Sequence, residues 1–163
     1  MGLRAPLGIF TREVATGEGR VLSASDFFEV LPTALAGQLQ AELRGFEAVR
    51  DRGRLLKLDY GHAETHFEAW YHRSAGRLEV GLHFEGDPDL NERAHVFFRR
   101  RIVEIKRALP RAELEPWDHG WVRLYETAPA ADLTSRTLAL VGERLAAFIT
   151  VLQPMVFEFW ESE

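Results

Sequence analysis

The sequence predicts an α+β fold, in which helices cover one face of a mainly antiparallel sheet of about five strands. Two patterns predict it: apolar residues recur at helical spacing in three segments, and strict apolar–polar alternation marks the strands between them. The elements follow in the order helix, three strands, helix, two strands, helix. The 163 residues contain no repeat or linker-like stretch, so we expect a single domain with residues 1–22 as an N-terminal arm.

The composition excludes several classes of protein. Because the chain has no cysteine, it has no disulfide, thiol nucleophile, cysteine-ligated zinc or iron–sulfur cluster. No apolar run approaches the ~20 residues of a membrane span, and the N-terminus lacks the pattern of a signal peptide. We therefore expect a cytoplasmic protein with no membrane partner. The net charge of −5 argues against general nucleic-acid packaging.

The first helix is predicted to begin at Asp26, which has the capping-box spacing with Glu29. Pro32 is compatible with the first turn of a longer helix. Leucine and other apolar residues then recur at helical spacing as far as Val49. The segment 51–53 is expected to end this helix.

Three strands follow, at residues 54–60, 64–72 and 77–85. A four-residue loop between the second and third strands pairs Tyr71 with Leu78, Ala69 with Val80, Phe67 with Leu82 and Thr65 with Phe84. A slip of one residue would place every apolar side chain opposite a polar one, so this register is well specified. In the first hairpin, the same reasoning places Leu56 opposite Phe67 and Leu58 opposite Thr65.

A second helix is predicted from Asp87 and Pro88, an N-cap acid followed by a proline in the first turn. It is expected to end before Pro110. A hairpin follows around the turn at 118–120. Its pairs are Leu114 with Leu124, Glu115 with Arg123 and Trp117 with Trp121.

The last helix is predicted from about Asp132, and Pro154 kinks or ends it. Residues 155–160 are almost all large and apolar, which is unusual for the end of a chain. If the helix continues, these residues extend its apolar stripe onto the protein's own sheet; otherwise they cross to a second subunit. We expect a homodimer, with an interface at Phe157, Phe159 or Trp160.

Residues 77–156 show a series of strands and helices with a characteristic set of apolar and charged residues. These are a strand Leu78-Glu79-Val80, a helix with Phe97, Ile102 and Glu104, strands around Leu114-Glu115 and Arg123-Leu124-Tyr125, and a helix ending Phe148…Pro154. In this pattern the segment resembles an uncharacterised bacterial domain family that is sometimes attached to restriction-system proteins. The resemblance implies a bacterial source and favours a role beside nucleic-acid enzymes. It implies no activity and no catalytic residue.

One group of chemically active side chains follows from the predicted register. The polar face of the three strands would carry Lys57 in one row with two histidines and would carry three carboxylates in the next row. Directly opposed residues lie ~4.5–5.5 Å apart at Cβ, close enough to hold Zn²⁺, Mn²⁺ or a similar ion or to form a general acid/base pair. Equally, such side chains are ordinary on a solvent-exposed sheet face. The candidate metal ligands are His66, His83, Glu64, Glu85 and Asp59.

Two further groups have both a functional and a structural interpretation. Arg99, Arg100 and Lys106 lie on a basic stretch of the second helix that could meet phosphates or form a plain solvated helix face. Trp117 and Trp121 could stack on a ligand or stabilise the hairpin that carries them.

Three hypotheses about function remain open from the sequence. The favoured one is a non-enzymatic binding or interaction module that self-associates, because no phosphate loop, dinucleotide fingerprint or nucleophile elbow is found. The alternative is a metal-dependent hydrolase or acid/base enzyme that uses the histidine and carboxylate cluster. The third is a nucleic-acid accessory domain.

Overall fold

The structure, a computed structural model, describes residues 19–162 and has the expected α+β class. In this part of the chain, the helices are α1 (Ala24–Ala36), α2 (Pro88–Arg99), α3 (Ile102–Ala108) and α4 (Ser135–Glu161). The strands are β1 (Glu47–Asp51), β2 (Leu55–Asp59), β3 (Thr65–His72), β4 (Arg77–Phe84), β5 (Glu113–Trp117) and β6 (Trp121–Pro129). They form one antiparallel sheet in the order β1-β2-β3-β4-β6-β5. Helices pack on its apolar face.

Most of the expected N-terminal arm, residues 1–18, lies outside the described residues. At the end of that arm, the N–H of Leu22 donates to the carbonyl of Leu133 at 2.8 Å. Val21 forms an isolated bridge with Thr134. The described end of the arm therefore lies beside the start of α4.

The first helix is shorter than the sequence predicts, and this difference adds the sixth strand. Ser23, not Asp26, is the N-cap, and its hydroxyl accepts a hydrogen bond from the Asp26 N–H. The helix ends at Ala36, whereas the prediction extended it to Val49, which instead lies in β1 and is 60% exposed. The prediction failed because the leucine spacing continues beyond α1 while the backbone turns away at Gly37.

The predicted register between β3 and β4 is confirmed at all four pairs, including Phe67 with Leu82. Between β2 and β3 the prediction was wrong by two residues: Leu56 pairs with Ala69, and Leu58 pairs with Phe67. A two-residue shift keeps every side chain on its face, because strand side chains alternate with a period of two. It does change which polar residues meet, since Lys57 is now opposite Glu68.

The β5–β6 hairpin is confirmed, with Trp117 opposite Trp121 and Glu115 opposite Arg123. The helix start at Asp87 is also confirmed, because its carboxylate accepts from the Leu90 N–H at 2.8 Å. The single helix predicted up to residue 109 is interrupted between α2 and α3.

Helix α4 continues past Pro154, and most of the apolar C-terminal segment packs on the protein's own core. Phe159 is 1% exposed, and the half-buried Trp160 donates its indole N–H to the Thr65 hydroxyl at 2.9 Å. The Trp160 ring also stacks on His62, with centroids 3.7 Å apart. Of the three expected interface residues, Phe157 is exposed. The homodimer stays a prediction, and this side chain is where it would form.

By length and composition alone, α4 is also apolar enough to cross a membrane. Half of its most apolar window is buried within the protein. Its buried residues include Leu145, Phe148 and Leu152, which pack into the core formed with the sheet and α1. This burial is typical of a core helix in a globular domain.

Tyr60 offers a test of packing at the edge of the core. Its hydroxyl donates to the Leu43 carbonyl at 2.6 Å, and burial raises the pKa of Tyr60 to about 12. An unfolded tyrosine ionises near pH 10, so we expect the free energy of unfolding to fall between about pH 10 and pH 12.

The variant Tyr60→Phe has no ionisable hydroxyl at this position. Comparison with the wild type therefore separates the ionisation of Tyr60 from that of the other tyrosines. The stability advantage of the wild type over the variant should be constant below pH 10 and narrow above it. Urea unfolding of both proteins at a series of alkaline pH values measures this difference. A pH-independent difference would contradict the burial of the Tyr60 hydroxyl.

Candidate metal centre

Four potential metal ligands meet on the face of the sheet opposite the helices. His66 and Glu68 lie on β3, His83 lies on β4 directly opposite His66, and Glu85 follows β4. One donor atom from each of these residues lies within 4.8 Å of the other three. Their side chains are only 4%, 3%, 0% and 12% exposed, respectively. The interpretation of this face as a solvated surface is therefore wrong at this cluster.

Strand alternation and one glycine explain how the sequence builds this cluster. Glu79 and His83 are separated on the same face by Gly81, which is opposite Glu68. A Cβ at Gly81 would lie 2.7 Å from the Tyr125 Cβ, so a larger residue does not fit. Around this glycine, Glu68 Oε2 lies 3.5 Å and Glu79 Oε1 lies 3.0 Å from the His83 Nε2.

Both ring nitrogens of His66 form hydrogen bonds. Its Nδ1 lies 2.7 Å from the Ala63 carbonyl oxygen. A carbonyl can only accept, so Nδ1 is the donor. A carboxylate oxygen also only accepts, so Nε2 donates in turn to Glu68 Oε1 at 2.8 Å, and it lies 3.7 Å from Glu85 Oε2.

His83 shows the same arrangement with its nitrogens exchanged. Its Nε2 hydrogen-bonds to Glu79 Oε1 at 3.0 Å, and Arg123 holds that carboxylate at 2.9 Å. The His83 Nδ1 atom is buried without a hydrogen-bond partner and lies 3.5 Å from Glu85 Oε1. Metal-binding histidines are oriented in this way, by one ring N–H given to a carbonyl or carboxylate.

A lysine lies at the solvent side of the cluster and contributes to its charge balance. The Lys57 ammonium is 3.1 Å from Glu85 Oε2 and 3.5 Å from Glu68 Oε1. Burial opposes ionisation of Glu85, but His83, His66 and Lys57 hold the pKa of its carboxyl at about 2. Burial also disfavours a charged imidazole, yet the surrounding carboxylates raise the pKa of His83 to about 9. Without a bound ion, cationic side chains therefore neutralise the carboxylates.

Aromatic side chains enclose one side of the cluster. The Trp117 ring meets His83 edge-on, with centroids 5.7 Å apart, and Trp70 and Trp121 lie 6.2 and 5.9 Å from Trp117. The Arg123 guanidinium stacks over Trp117 at 4.9 Å. Both tryptophans are half-buried, the pair stands across the hairpin as in its structural interpretation, and Trp117 shields the histidine.

The structure brings together three of the five predicted ligands. Asp59 is opposite Glu47 in the β1–β2 register, and its carboxylate accepts a hydrogen bond from the Gly61 N–H. Glu64 is exposed ahead of β3. Sequence reasoning missed Glu68, although its position two residues after His66 on the same strand face was a sufficient signal.

The basic stretch proposed to meet phosphates is divided between α2 and the residues that follow it. Arg99 and Arg100 are exposed. Lys106, on α3, forms an ion pair with Glu113 at 3.0 Å. The three cations are thus not all free to meet a phosphate.

Comparisons of this chain with protein-family models, with curated proteins and with solved structures find no match. The resemblance to a restriction-associated bacterial domain family stays an expectation.

Proposed function

We propose that this protein is a non-enzymatic, cytoplasmic binding module whose ligand is a divalent metal ion. The ion would be held by His66, Glu68, His83 and Glu85. One observation carries the proposal. In each imidazole, one nitrogen hydrogen-bonds to the Ala63 carbonyl or to Glu79, and the other nitrogen is directed at the carboxylate of Glu85. The Nδ1 of the fully buried His83 forms no hydrogen bond and has Glu85 Oε1 at 3.5 Å, which is the clearest sign that a bound ion belongs between them.

The separations between donor atoms suit a small cation. Metal–ligand bonds of 2.0–2.2 Å in a tetrahedron place neighbouring donors ~3.4 Å apart. Three donor pairs around His66 Nε2 and His83 Nδ1 are 2.8, 3.7 and 3.5 Å apart, and all four donors lie within 4.8 Å of one another, so the side chains would close in around a bound ion. Two imidazoles and two carboxylates in this arrangement favour Zn²⁺ over Mg²⁺ or Ca²⁺, which prefer sites made of oxygen donors alone.

The closed character of the site supports binding over catalysis. Structural zinc sites use four protein ligands, whereas catalytic sites keep one position for water or substrate. Here four ligands are present, and the most exposed of them, Glu85, has a side chain only 12% exposed. The hydrolase hypothesis requires an open position that this arrangement does not offer.

The decisive experiment is elemental analysis of the purified chain, followed by calorimetric titration of the chelator-treated protein with zinc. We expect one zinc ion per chain and a dissociation constant below one micromolar, as ~10 kcal/mol or more is typical of structural zinc. A titration with manganese tests the choice of ion. If no divalent ion binds at micromolar concentration, the proposal is wrong and the cluster is an ion-pair network.

A further inference from the structure

We infer that Lys57 is a built-in competitor of the metal ion, whose ammonium group must leave the carboxylates before the cation can be bound. The inference rests on the proposed metal site and adds the residue that sets its affinity. It concerns a side chain that donates nothing to the ion itself.

Lys57 occupies oxygen atoms that a bound metal ion would need. Its ammonium contacts Oε2 of Glu85 at 3.1 Å and Oε1 of Glu68 at 3.5 Å. These are the same two oxygens that face the Nε2 of His66, at 3.7 and 2.8 Å. A metal bound to that nitrogen would therefore use the oxygens that the ammonium now holds.

The observed register makes this competition specific to Lys57. Because β2 and β3 pair with Lys57 opposite Glu68, the lysine stem extends across β3 towards the carboxylates. Two like charges about 4 Å apart repel each other strongly in a partly buried site. The ammonium and a divalent cation cannot share these oxygens without a large loss of affinity.

The partial exposure of Lys57 allows its ammonium group to move into solvent. Its side chain is 34% exposed, whereas those of Glu68 and His83 are 3% and 0% exposed. A lysine carries its charge on a flexible four-carbon stem, which can place the charge in solvent while the stem stays on the protein. The ligands can thus stay in place while the lysine swings outward.

The test compares the zinc affinities of the wild type and of variants at one position, at pH 7, by calorimetry with a competing chelator. Lys57→Gln and Lys57→Met remove the charge, and we expect both to bind zinc about tenfold more tightly or better, because no ammonium then repels the ion. Lys57→Arg keeps the charge and should bind no more tightly than the wild type. Arg50→Gln on β1, where the residue is exposed, controls for the change in net charge.

Each outcome separates the inference from the proposed function. If both neutral variants bind zinc with wild-type affinity, Lys57 is no competitor, while the metal site stands. If only the neutral variants bind zinc, the inference is supported and the native chain is not a metal-binding module. If no variant binds zinc, both are wrong. Two neutral variants are included so that a folding defect in one, seen by circular dichroism, leaves the comparison intact.

Discussion

Replacement of Phe67 by alanine is expected to lower the free energy of unfolding by about 3–5 kcal/mol. Phe67 is fully buried at the centre of the apolar sheet face, between Leu58 on β2 and Leu82 on β4. Its ring meets Tyr60 edge-on, with centroids 6.4 Å apart. Both neighbouring strands are hydrogen-bonded to β3, so the backbone cannot close in on the cavity, and most of the lost contact is not recovered.

Urea denaturation at neutral pH measures this effect. The matched control is Val49→Ala on β1, where the side chain is 60% exposed. We expect the control to change stability by no more than ~0.5 kcal/mol. A loss below about 1 kcal/mol for Phe67→Ala would mean that the centre of the sheet is not packed as described.

The combined variant His66→Asn/His83→Gln is expected to weaken zinc binding at least 100-fold. The asparagine amide can still donate to the Ala63 carbonyl from the position of the imidazole Nδ1. The glutamine amide can still donate to Glu79 from the position of Nε2. Both metal-facing nitrogens are lost, while the outer hydrogen bonds that orient the side chains remain.

Double substitution to alanine is a poorer experiment, because His83 is fully buried. Alanine would leave a cavity and would remove the only hydrogen bond that the structure gives to Glu79 Oε1 within the described residues, so lost binding could reflect lost stability. His119→Asn is the matched control: His119 is exposed at the β5–β6 turn with φ of 60°, a conformation that asparagine tolerates. Calorimetric titration should show unchanged zinc affinity for this control. Wild-type affinity in the combined variant would rule out the assigned ligands.

The part of the site that was predictable from sequence depends on one register. The four-residue connection before Arg77 and strict alternation place His66 opposite His83, and that pair is found. The β2–β3 register was not predictable in the same way. A shift by two residues keeps every side chain on the same face of the sheet. The turn before β3, in which the Thr65 N–H donates to the His62 carbonyl, does not change the apolar–polar alternation and so cannot be read from it.

The burial of the polar face was also beyond sequence reasoning, for a reason of topology. His83 is enclosed by Trp117, which belongs to a strand far along the chain. The two meet because β6 pairs with β4 and carries β5 with it, and strand order across a sheet does not follow from local patterns. The sequence pattern of these polar residues is therefore typical of an exposed face, although the structure buries them.

The contact between Trp160 and His62 links two distant parts of the molecule. The indole stacks on His62 and donates to the Thr65 hydroxyl, so the last turn of α4 holds the loop that connects β2 to β3. That loop also supplies the Ala63 carbonyl, which determines the orientation of the His66 ring. The end of the longest helix thereby helps to hold the candidate metal centre in place. We therefore expect a deletion that removes Trp160 to disturb the geometry of a ligand almost a hundred residues away in sequence.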